Sequence, residues 1–141
     1  SMDWLKDTLA YQTRGKGMYL ITQDVQQLLD EWKVQEGQIT LFVPHTSASL
    51  ALSECYDPDA RADVEQFFER VAPENQAWYK HTLEGADDSP SHMRAVISHN
   101  SLTIPVDQRK LSLGTWQGIY FFEHRSAPMN RKVLVRCLKV T

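Results

Sequence analysis

The segment Gln38–Leu52, QITLFVPHTSASLAL, restricts the fold more than any other part of this 141-residue chain. Strand side chains alternate between two faces, so Ile39, Leu41, Val43 and His45 fall on one of them. An apolar, β-branched alternation of this length specifies a sheet with one buried face. His45 therefore follows three apolar residues on the inward side. Thr46, Ser47 and Ser49 come directly after it. Polar groups there must be hydrogen-bonded or open onto water, since burying them unpaired is unfavourable. Two readings stay open: a core histidine satisfied by hydroxyls, or a strand end opening into a pocket.

Other segments supply the partners such a sheet needs. Trp4–Thr13 reads as a short edge strand, and MYLIT as a second. SLTIPV, LSLGTWQGIYFFEH and RKVLVRCLKV continue the pattern towards the C-terminus. A helix is expected from Thr22, as cap, to Trp32, with Val25, Leu28, Leu29 and Trp32 on its apolar face. A second begins at Asp57 as N-cap with Pro58 at N1, and Val64, Phe67, Phe68 and Val71 form its stripe. A third runs from Pro90 to about Ser98, capped by Asp88 or Ser89. The sum is an α+β chain with mostly antiparallel sheet and about three helices, a single domain over residues 1–141. Ser1 before Met2 reads as a tag remnant. The strands outnumber what three helices can cover, so some sheet surface is left to pack on another subunit.

Charge and cysteine content narrow the partners. A net charge of -3 argues against a general nucleic-acid binder, although Arg125, Arg131, Lys132 and Arg136 could form a local basic patch. The 2 cysteines, Cys55 and Cys137, have no metal-type spacing and read as reduced thiols of a cytoplasmic protein. No apolar run reaches membrane-spanning length, and the N-terminus shows no signal-peptide core.

Chemistry concentrates in a few places. In EGADDSPSH, Glu84–His92, two aspartates precede a helix start and a histidine follows within its first turn. Capping explains the acids. It does not call for His92, whose neutral form is favoured at a positive helix end and suits metal binding or base catalysis. His81 lies in a long loop, 73–88, and alone reads as a surface residue. His99 is placed to meet the carbonyls ending the third helix, and His124 is undecided. Zinc would suit His45, His81 and His92. Glu54, Asp87 and Asp88 offer oxygen ligands for magnesium beside a substrate phosphate. A serine or cysteine nucleophile is disfavoured, because HTSAS lacks a nucleophile elbow and Cys55 adjoins Glu54. In LGTWQG, Gly114 and Gly118 mark a bulge or a close backbone approach. Trp116 there is either core or a ring-stacking surface, with Gln117 supplying an amide.

Taken together, HTSASLALSE, DPDARAD, GADDSPSH and GTWQGI resemble, in order and spacing, the YjbQ-like family of small bacterial and archaeal proteins. The likeness spans essentially the whole chain and is strongest to the enterobacterial branch. It implies sheets packed about a threefold axis in a homotrimer. It also implies a weak thiamine-phosphate synthase activity, attached to some members. The family's motif positions correspond to His45, Thr46, Ser47, Ser49, Glu54, Asp57, Asp63, His81, Asp87, Asp88, His92, Gly114, Thr115, Trp116, Gln117 and Arg131. Ser53, Ser98-His99 and Gln108-Arg109 depart from the pattern in or beside turns.

Three functions follow as expectations. The first is a transferase of the thiamine-phosphate synthase kind, expelling pyrophosphate. Its catalytic groups would be His45, Glu54, Asp88 and His92. Thr46, Ser47, Ser49, Asp87, Trp116, Gln117 and Arg131 would hold the substrate. The second is a zinc hydrolase using His45, His81 and His92, with Glu54 or Asp88 as base. The third is a trimeric module that binds a small molecule without turnover.

Overall fold

The Gln38–Leu52 segment does not stay in one strand. In the computed structural model, which describes residues 1–140, it divides between two sheets. Its first half is β3 (Glu36–Phe42), and its second half is β4 (Ala48–Glu54). Val43 still donates to the Asn100 carbonyl, but Pro44 has no N–H to continue the ladder, and the chain turns over to the second sheet. His45 thus lies just beyond the strand that the alternation defines.

The remaining elements are β1 (Met2–Gln12), β2 (Gly17–Leu20), α1 (Thr22–Glu31), α2 (Pro58–Val71), α3 (Asp88–Ile97), β5 (Ser101–Asp107), β6 (Lys110–Leu111), β7 (Gln117–Glu123) and β8 (Asn130–Val140). All strand pairs are antiparallel, in one sheet ordered β1-β8-β3-β5-β6 and another ordered β2-β7-β4. The fold is the expected α+β class, with β1 on an edge. No helix among the described residues is long and apolar enough to cross a membrane.

The core lies between the sheets. Ile39, Leu41, Ile104, Val133 and Val135 of the large sheet meet Leu50, Ile119 and Phe121 of the small one, and α1 adds Val25, Leu28 and Leu29. Each such side chain, fully buried, contributes about 1.5–3 kcal/mol. On the small sheet's other face, Met18, Tyr120 and Phe122 pack against Val64 and Phe68 of α2. The expected stripe of α2 is only half covered: Val64 and Phe68 pack on that face, whereas Phe67 and Val71 are exposed. Among the described residues, the outer face of the large sheet carries no helix and leaves Trp4, Phe42, Leu138 and Val140 exposed.

Local chemistry sets the helix starts. Asp57 caps α2 as expected, accepting the Asp59 N–H at 2.9 Å. Thr22 does not cap α1, because its hydroxyl accepts the Ile119 N–H of β7 at 2.8 Å. Helix α3 begins at Asp88 rather than Pro90, without a side-chain cap, and its acids are engaged elsewhere. His99 makes a backbone bridge to Leu50 instead of meeting the α3 carbonyls. The Ser98 hydroxyl takes that place, donating to the Arg94 carbonyl.

Candidate metal centre

Helical spacing puts Asp88 and His92 one turn apart on the same face of α3. The loop between α2 and α3 brings His81 to them. His81 Nε2 is 2.6 Å from Asp88 Oδ2, and His92 Nε2 is 3.1 Å from the same oxygen. One ligand atom from each of the three residues lies within 4.8 Å of the others. Asp88 is 1% exposed, so its charge depends on the groups around it. Arg125 supplies one partner, with Nη1 donating to Asp88 Oδ1 at 2.7 Å. The same guanidinium donates to Asp87 Oδ2 and the Glu84 carbonyl, tying the loop to the helix start. Burial pushes the Asp87 carboxyl up, but the Ser126 N–H and Arg125 outweigh it and hold Asp87 below its ordinary range.

One hydrogen bond fixes what this cluster can hold. His92 Nδ1 is 2.9 Å from the Thr46 carbonyl, which can only accept. Nδ1 therefore carries a proton. In neutral His92, Nε2 then turns a bare lone pair on the Asp88 carboxylate. Two lone pairs at that separation repel, so positive charge belongs between them, either a second proton or a metal ion. Two imidazoles and a carboxylate suit a borderline-soft divalent ion such as zinc, and a ligating histidine commonly donates its other nitrogen to a backbone carbonyl.

A cavity of about 450 Å³ opens beside the cluster, lined by His45, Thr46, His81, Ser89, His92, Ala95, Val96 and Asn100. The expected ligand set was His45, His81 and His92. His45 reaches the cavity, but Asp88 stands in its place among the converging ligand atoms. His45 is held elsewhere: its Nε2 accepts the Lys132 backbone N–H at 2.9 Å, on β8 just past the point where β3 leaves the sheet.

Several other expected site residues lie away from this cavity. Arg131 does not face the cavity. Its Nε donates to Glu123 Oε1 at 2.8 Å and its Nη2 to Ser47 Oγ at 2.8 Å, in a buried network that Thr13 joins through its hydroxyl. Ser49 bonds His124 Nε2 and Ser98 Oγ, also inside. Glu54, Trp116 and Gln117 sit at the far end of the small sheet, where Glu54 pairs with Gln117, while Ala48 pairs with Glu123 at the near end. Six residues of strand separate the two ends, roughly 20 Å. There Glu54 accepts the Tyr56 and Asp57 N–H groups, Gln117 closes its own turn onto the Gly114 N–H, and Trp116 packs edge-on against Tyr56. The close approach expected at the glycines occurs at Gly118, where a Cβ would stand 2.7 Å from that of Cys55.

Arg125 was read only as part of a possible basic patch and His124 was left undecided; Arg125 proves to hold Asp88, and His124 bonds Ser49 in the interior. Both follow the apolar β7 run, which gives no local signal for partners far away in sequence. Burial, with the positive charges of Arg94 and Arg131, lowers the His124 pKa to about 3 from 6.5. A depressed histidine pKa means that the unfolded chain takes up a proton that the native one refuses. Stability is thus full above pH 6.5 and falls as the pH drops towards 3, by about 1.4 kcal/mol per unit from this group. His45, lowered by burial and by Arg131, acts in the same direction. Urea unfolding at pH 7 and pH 5.5 is expected to show this loss, and His124→Gln a shallower one. Equal slopes in the two proteins would rule out His124 as the source.

Comparison with known proteins adds a consistent result. A family model described as UPF0047 protein YjbQ-like matches residues 7–140. The UPF0047 protein YjbQ of Escherichia coli O157:H7 is 41% identical over 132 residues, covering 93% of this chain and 95% of that protein. A UPF0047 protein of Synechocystis sp. is 39% identical over 130 residues, covering 92% and 88%. Among solved structures, a YjbQ/UPF0047 protein from Clostridium acetobutylicum superposes with a TM-score of 0.80 at 35% identity, covering 94% of this chain and 98% of that one. A YbjQ-like protein of unknown function from Sulfolobus solfataricus P2 shares the fold, with a TM-score of 0.90 at 23% identity and coverage of 99% and 100%.

Proposed function

The chain belongs to the UPF0047 YjbQ-like family, and from that premise we propose that it is a metal-dependent hydrolase of a small phosphorylated molecule. The observation that carries this reading is the convergence of His92 Nε2 and His81 Nε2 on the same Asp88 oxygen, with His92 Nδ1 against the Thr46 carbonyl. His81, Asp88 and His92 would hold the ion. A divalent ion there supplies Lewis acidity and an activated water. Arg125 keeps the Asp88 carboxylate oriented, and the Thr46 carbonyl keeps the His92 ring in register. Ala95 and Val96 give the cavity an apolar wall for the substrate's uncharged part.

Transfer with loss of pyrophosphate is the weaker reading. It placed Arg131 and Trp116 among the groups holding the substrate, and neither lines this cavity. A homotrimer built on the uncovered outer sheet face, where Trp4 and Leu138 are exposed, accompanies either reading. Sedimentation equilibrium checks that assembly, and a monomer at all concentrations would remove it. For the reaction, zinc-loaded protein is expected to release phosphate from a set of small phosphate esters. A chelator should abolish the release, and added zinc should restore it. Turnover indifferent to the chelator would refute metal-dependent hydrolysis.

A further inference from the structure

His45 occupies the cavity beside the proposed centre without belonging to it. A backbone N–H can only donate, so the contact from Lys132 requires an unprotonated Nε2 on His45. The ring is then neutral with its proton on Nδ1. That N–H has no partner among the described residues, and the half-buried ring lines the cavity. The bond from Lys132 removes Nε2 both as a base and as a ligand. What remains is a single fixed donor. Ser89, on the first turn of α3, lines the same cavity with a hydroxyl that bonds no described residue.

We propose that His45 Nδ1–H and the Ser89 hydroxyl form a donor pair for an oxyanion of the substrate, and that His45 contributes as a neutral hydrogen-bond donor rather than a metal ligand. This deepens the hydrolase reading and rests on it for the ion alongside. The substrate class is a small molecule with an oxyanionic group, phosphoryl or carboxylate, next to an apolar portion that meets Ala95 and Val96. Such a donor is effective because it needs no reorganisation when charge develops on the oxygen. Burial and the Arg131 charge both lower the affinity of His45 for a second proton, which favours the neutral ring, and the Lys132 N–H selects its tautomer.

The test has a metal-free arm and a metal-loaded arm. Nitrogen-15 spectra of the intact, zinc-free protein should show His45 with a protonated Nδ1 and a bare Nε2 at neutral pH. A protonated Nε2 would overturn the proposal whether or not zinc binds. In the zinc-loaded protein, inorganic phosphate and acetate are titrated separately into wild type, His45→Ala and His45→Asn. The asparagine amide can place an N–H near the position of Nδ1. The donor role predicts that His45→Ala weakens binding of at least one anion by about tenfold or more. His45→Asn should recover part of that loss, and the anion most affected identifies the group as phosphoryl or carboxylate. Zinc affinity should stay unchanged in both variants while His92→Ala lowers it. Anion binding unaffected by His45→Ala, or zinc affinity lost with it, would overturn the assignment. Failure of wild type to bind zinc would instead strike the hydrolase reading, and the spectra would still decide His45.

Discussion

Zinc affinity is expected to collapse in Asp88→Asn while the fold persists. Asparagine preserves the shape of the side chain and leaves an oxygen that can accept from Arg125 Nη1, now 2.7 Å from Oδ1. It removes the negative charge that His81 and His92 share at Oδ2. Changes to groups that merely orient a ligand typically weaken metal binding 10- to 100-fold, so losing the ligand should weaken it by at least about a hundredfold. Calorimetric titration with zinc measures the effect, and circular dichroism checks the fold. The affinity of wild type should also fall as the pH falls, since imidazole ligands must be unprotonated to bind. Asparagine at position 88 with undiminished zinc affinity would mean that Asp88 is not a ligand.

The second large effect concerns stability. Arg131→Met is expected to destabilise the protein by about 3–5 kcal/mol, because it strands the Glu123 carboxylate without its main charged partner. Glu123 is 0% exposed, and Arg131 reaches it through both Nε and Nη2. For a chain of this size the melting temperature should fall by roughly 10 °C or more. Arg131→Met with Glu123→Gln should recover much of the loss, since a neutral amide tolerates the site better than an unpaired charge. A single variant that melts within a few degrees of wild type would show that Glu123 is satisfied without the arginine. The same network holds Ser47, next to the Thr46 carbonyl that orients His92, so the variant should also lower zinc affinity.

Most of the fold was legible because it follows from local patterns. Alternation along 38–43 and 130–137 defines strands with one face inside, and Asp57-Pro58 specifies a helix start by itself. The division of Gln38–Leu52 between two sheets was harder, since the apolar pattern gives a face and not a partner. Pro44 was the available sign. Thr22 illustrates a different limit. A capping residue and a sheet acceptor look alike in sequence, and only the arrival of β7 decided between them.

The site was legible in its parts and not in its grouping. His45, His81 and His92 all reach one cavity, but the group whose atoms converge closely enough to hold a metal ion includes Asp88 in place of His45. The aspartate was read as helix-capping charge and as an oxygen ligand for magnesium, because both depend on the same residue type. What separated them was Arg125, 37 residues further on, which holds Asp88 in place from a different element. His45 was displaced from the ligand set by the backbone N–H of Lys132, 87 residues away, a partner that no spacing rule reveals. Glu54, Trp116 and Gln117 were grouped with the site for their side-chain chemistry, and Arg131 as a substrate-holding residue. Pairing between β4 and β7 carries three of them to the opposite end of the sheet, and the need to neutralise Glu123 draws the fourth inward.

Anomalous scattering at the zinc edge, from crystals of the wild-type chain grown with zinc, addresses the metal centre without reference to any substrate. A single strong peak bounded by His81 Nε2, Asp88 Oδ2 and His92 Nε2, with His45 outside its coordination shell, is the predicted result. Density in that gap with no anomalous signal, or a peak coordinated elsewhere on the chain, would contradict it.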